Sequence, residues 1–89
     1  MNELLTGGYN LMETDHGFWS INSADHIIFN GHFLEVVYFM VKKLGFHIDD
    51  IEEAIEIMEE NGHNGIHFGV FKTVIYTFDA ETKNGRKAS

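Results

Sequence analysis

Seven carboxylates crowd into residues 49–60: Asp49, Asp50, Glu52, Glu53, Glu56, Glu59 and Glu60, with no lysine or arginine among them. Between them Ile51, Ala54, Ile55 and Met58 recur at i, i+3, i+4 and i+7, the period of a helix with one apolar stripe. Acids in the first turn of such a helix complement its dipole, whereas Glu59 and Glu60 oppose it, each at a cost of about 0.3–1 kcal/mol at low salt. Glu52 and Glu56 also repel at i, i+4, as do Glu56 and Glu60. A helix selected for stability alone would interleave Glu with Lys. The segment reads in two ways: a solvated face that keeps the chain in solution, or a docking face for a basic partner such as the nucleic-acid channel of an enzyme.

Histidine is the second group able to do chemistry: His16, His26, His32, His47, His63 and His67. Imidazole with a neighbouring carboxylate is a workable set for zinc, nickel or iron. The spacing argues against a dedicated site. His63 and His67 would share a face only on a helix, and Gly62, Asn64 and Gly65 break any helix there. On a strand the two lie roughly 13 Å apart. A site would need long-range convergence, for instance His16, Asp25 and His26 gathered by a hairpin. Partly exposed histidines with some pH sensitivity are the simpler account, and no metal or cofactor is expected.

Other catalytic signatures are missing. The chain has no cysteine, which excludes disulfides, thiolate zinc sites and cysteine nucleophiles. Ser20, Ser23 and Ser89 sit in no nucleophile elbow. Gly62, Gly65 and Gly69 form no phosphate-loop pattern and precede a strand, so no helix N-terminus waits for an anion. The expectation is a protein that is not an enzyme.

A third feature is apolar excess. Residues 33–41 leave almost no polar face, with Glu35 the sole interruption. A helix on one side of a small sheet needs a stripe of apolar residues and not a girdle. Either this helix is sandwiched in the core, or Phe33, Val36, Tyr38, Phe39 and Met40 face a second chain, a homodimer being the simplest case.

These segments need elements to hold them. Tyr9 to Glu13 and Phe18 to Asn22 read as strands around the turn Thr14-Asp15-His16-Gly17. Ser23 reads as an N-cap, with a helical turn or two over Ala24 to Phe29. Phe33 to Leu44 reads as the central helix, with Lys42 and Lys43 in its last turn and Gly45 just beyond. Asp49 or Asp50 opens the acidic helix through a capping box to Glu52 or Glu53, and Asn61-Gly62 ends it. Ile66 to Phe78 is rich in strand formers, with a bulge or turn near Gly69 to Lys72. The order implies an α+β fold in which two helices pack on a small antiparallel sheet, with one domain over residues 1–79 and a flexible polar tail over 80–89.

The formal net charge is −8, and residues 1–79 alone carry 13 acids against Lys42, Lys43 and Lys72. A body that negative repels nucleic acid and anionic lipid and attracts basic surfaces. No basic, apolar leader or span-length apolar run is present, so a cytoplasmic protein is expected. The combined character is a small acidic binding protein, an inhibitor or regulator that docks on a basic surface of a larger partner such as nucleic-acid machinery. By analogy of type alone, small phage-encoded viral inhibitors, including anti-defence ones, share it. Competing readings are a histidine-based metal or ligand binder and a self-associating structural protein.

Overall fold

In a computed structural model of the chain, residues 8–23 and 26–80 are described. Their elements run β1 (Tyr9–Asp15), β2 (Phe18–Ser23), β3 (His26–His32), α1 (Phe33–Lys43), α2 (Ile48–Glu60), β4 (Gly65–Phe68) and β5 (Val74–Phe78). The strands form one antiparallel sheet in the order β3-β2-β1-β4-β5, with both helices on one face, so the architecture is the expected α+β. α1 lies over β3 and β2, and α2 over β4 and β5.

Alternation along the strands divides the sheet. Phe29, Ile21, Leu11 and Ile66 stand in register across β3, β2, β1 and β4, and Leu11, Ile21 and Ile66 are fully buried beneath the helices. Val36, Val37 and Met40 of α1, Ile51, Ala54 and Met58 of α2, and Phe46 between the helices complete that layer. On the other face the row reads Asn22, Asn10, His67 and Tyr76.

The first hairpin forms as its turn residues dictate. Asp15 Oδ1 accepts the His16 N–H at 2.8 Å, and Glu13 Oε2 accepts the Gly17 N–H at 3.0 Å. The helix expected over residues 24–29 is replaced by β3. Ile27, Ile28 and Phe29 are β-branched or aromatic and pair with β2, so sheet continuation outweighs a cap at Ser23, which belongs to β2. Ala24 and Asp25 lie outside the described residues. The element order is thus βββααββ.

α1 ends where its stop signals lie: Gly45 has φ +82°, a conformation L side chains rarely adopt, and Leu44 is the C-cap. Its start is secured by Glu35, whose carboxylate accepts the His32 N–H at 3.0 Å. α2 begins one residue before the expected acids, with His47 as N-cap and no side-chain cap bond, so the capping box from Asp49 or Asp50 does not form. Both acids sit inside the first turn instead, where they still complement the positive end of the dipole.

The C-terminal segment is a hairpin, β4 and β5, turned over residues 69–73 by Gly69 N–H to Thr73 O at 2.8 Å and Lys72 N–H to Gly69 O at 2.9 Å. Gly65 leaves room for its neighbour, since a Cβ there would lie 2.5 Å from the Phe78 ring and displace it. Asn64 fastens this hairpin to the rest. It is buried, its Oδ1 accepts the Ala80 N–H at 2.6 Å, its Nδ2 donates to Ala80 O at 2.9 Å, and its backbone oxygen accepts the Glu13 N–H at 3.0 Å. Ala80 is therefore tied to the domain, and the remainder of the expected tail lies outside the described residues. Among the described residues no helix is long and apolar enough to cross a membrane.

Candidate docking surface

All seven acids of α2 are exposed. The helical period sets four of them on an outer ridge opposite the buried stripe Ile51, Ala54 and Met58, with Asp50 on one flank and Glu52 and Glu59 on the other. Asp49, Glu53, Glu56 and Glu60, at i, i+4, i+7 and i+11, form the outer ridge, about 16 Å long at 1.5 Å per residue. Asp50 and Glu53 border a cleft of about 310 Å³ completed by Ile57, Lys72, Thr73 and Val74. On the opposite flank Glu52 joins Ile48, Ile51 and Ile55 along a groove of about 230 Å³ shared with Phe33, Leu34 and Val37 of α1.

Among the described residues no cation forms an ion pair with any of these carboxylates. Lys72, the nearest candidate, has Nζ 6.0 Å above the Tyr9 ring and 5.9 Å above Phe46, so its charge rests on aromatic faces beside the helix. Its backbone has φ +67°, imposed by the tight turn after Gly69. Among the described residues the ridge thus presents negative charge that no lysine or arginine neutralises.

The apolar face expected on α1 separates into two populations. Val36 and Met40 are fully buried in the core, which removes both from any interface with a second chain. Phe33 and Phe39 are half-buried, against Trp19 at 5.0 Å and stacked on Phe29 at 4.6 Å. Tyr38 is 65 % exposed, and Leu34, which sequence reasoning did not single out, is 76 % exposed. The helical period gave no signal for Leu34: it lies three residues before the buried Val37 and seven before the half-buried Val41, a spacing that by itself would suggest burial.

A second missed feature is the β4–β5 turn. Phe71 is 83 % exposed, with Val70, Ile75 and Tyr76 beside it around a depression of about 540 Å³. An apolar pair directly after Gly69, in a segment already read as a turn, is the clue that such residues would be left in water.

The histidines do not assemble. His16 sits in the turn before β2 and His26 beyond its end, so six residues of strand separate them by roughly 20 Å. Asp25, the third member of that expected cluster, lies outside the described residues. His63 Nδ1 is 2.8 Å from Thr77 Oγ1, and His67 Nδ1 is 2.6 Å from Asn10 Oδ1 while its ring stacks on Tyr76 at 5.0 Å. Burial lowers the His67 pKa from its ordinary value, favouring the neutral ring. Among the described residues no three His, Asp or Glu side chains are grouped as metal ligands.

Compared with protein-family models, with curated proteins and with solved structures, the chain matches none of them.

Proposed function

We propose that this chain is a non-enzymatic binding protein, an inhibitor or regulator that lays the exposed acids of α2, Asp49, Asp50, Glu52, Glu53, Glu56, Glu59 and Glu60, on a basic surface of a larger protein. The observation that carries the reading is a row of exposed carboxylates on a folded helix, none of them ion-paired among the described residues. A partner supplying Lys or Arg at that spacing relieves the repulsion between Glu52, Glu56 and Glu60 and the dipole conflict at Glu59 and Glu60. The negative field accelerates the encounter and makes it salt-sensitive. Machinery that holds nucleic acid offers such surfaces, and a cytoplasmic inhibitor of it, of phage type and directed against host defence, is the setting this reading favours.

The test is a capture experiment with two baits, the natural chain and the variant carrying Glu52→Lys, Glu53→Lys, Glu56→Lys and Glu59→Lys. The reading expects a basic protein held by the first bait, released by salt and absent from the second, while circular dichroism of both baits is the same. Equal capture by both baits would overturn it.

A further inference from the structure

We propose that the β3 edge of the sheet, with the adjoining flank of α1, is a homodimer interface. This inference does not rest on the docking role of α2.

The strand order leaves two edges, β3 and β5, each with a row of backbone groups facing outward. Soluble proteins guard such edges with Lys, Pro or charge. Residues 26–32 contain none of these, and Ile27 and Ile28 are exposed. β3 carries a bulge at Ile28, so the regular stretch is short and the helix flank above it must supply most of the contact. That flank is ready for it. Phe29, Leu34, Glu35, Tyr38, Phe39 and Lys43 line a groove of about 490 Å³, with the stacked Phe29 and Phe39 rings as its floor and Leu34 and Tyr38 at its rim.

The occupant is a second copy because the flank is complementary to itself. Antiparallel pairing of β3 with β3 about a two-fold axis sets the two α1 helices side by side and antiparallel. Glu35, in the first turn and held by its bond to the His32 N–H, then faces Lys42 and Lys43 in the last turn of the other copy. Phe29 and Phe39 of both copies meet near the axis.

The other edge rejects the same arrangement. Joining two β5 strands would bring two α2 helices together, with Asp50 and Glu53 on the approaching flanks and, among the described residues, Lys72 as the one cation beside them. Pairing through β3 instead places the acidic helices at the far ends of a ten-stranded sheet, roughly 40 Å apart at 4.8 Å per strand. The dimer carries two ridges, each free, and a target with two basic sites would be held by both.

Sedimentation equilibrium on the full chain, up to about 500 µM, tests this. The expected result is a dimer that Tyr38→Glu and Leu34→Glu each weaken by about tenfold or more, both variants remaining folded because both side chains are exposed. Lys43→Glu weakens it as well, and combining it with Glu35→Lys recovers part of the loss. Ile75→Glu, on the opposite edge, leaves the dimer intact. A monomer throughout the range would overturn the proposal, as would a dimer lost to Ile75→Glu and indifferent to Tyr38→Glu.

Discussion

The half of the molecule built on α1, β3 and β2 and the half built on α2, β4 and β5 solve one problem differently. Each helix covers two strands of a common sheet with an apolar stripe: Val36, Val37 and Met40 in one, Ile51, Ala54 and Met58 in the other. Beyond the stripe they diverge. α1 keeps apolar side chains in water and arranges its charges by the dipole, Glu35 first and Lys42 and Lys43 last. α2 exposes carboxylates along its length, including two where the dipole disfavours them, and has no base in its last turn. Packing therefore accounts for the inner faces of both helices and for neither outer face. What separates the halves is what each leaves exposed, apolar side chains on α1 and carboxylates on α2.

Substitutions can sharpen that division. Met40→Ala, in the buried α1 stripe, should cost about 2–5 kcal/mol in chemical unfolding, whereas Tyr38→Ala, two residues earlier on the same helix, should cost little. Equal effects would mean that the outer face of α1 is part of the core. Asn64→Ala should cost about 2–3 kcal/mol, because it strands the Ala80 N–H and oxygen. Loss well below 1 kcal/mol would show that this clamp is idle.

The charge asymmetry gives a smaller effect of opposite sign. Glu60→Lys should raise stability by about 0.3–1 kcal/mol at low salt, with the gain fading as salt is added. Lys43→Glu should lower it by a similar amount, as the same dipole argument requires at the end of α1. If Glu60→Lys destabilises, the ridge is already balanced within the chain.

The smallest effect concerns His67. Its folded pKa lies below its unfolded value near 6.5, so the unfolded chain binds the proton more readily. The stability this contributes is present above about pH 6.5 and is lost as pH falls from there toward the folded value. The melting temperature of the natural chain should drop across that window more steeply than that of His67→Gln. Parallel curves would remove His67 from the account.

Much of this was legible beforehand. The two helices, their glycine stops and the N-terminal hairpin follow from period and turn chemistry, because Ile51, Ala54 and Met58 or Asp15-His16-Gly17 act through neighbours a few residues away. β3 was not legible, since the same residues 24–29 accept a cap at Ser23, and only pairing with β2 decides between the two. The exposure of the α2 acids could be read from the helical period. The sorting of α1 into buried Val36 and Met40 and exposed Leu34 and Tyr38 could not, because a segment apolar on all sides gives its period nothing to mark. Asn64 looked like turn chemistry, and its partner Ala80 is sixteen residues away.

The ionic-strength dependence of association between the natural chain and the basic protein it captures tests the docking claim most directly. The account predicts an association rate that falls by about tenfold or more from low to high salt, and a slow, nearly salt-independent rate for the four-lysine variant of α2. Rates that coincide for the two proteins at every salt concentration would contradict it.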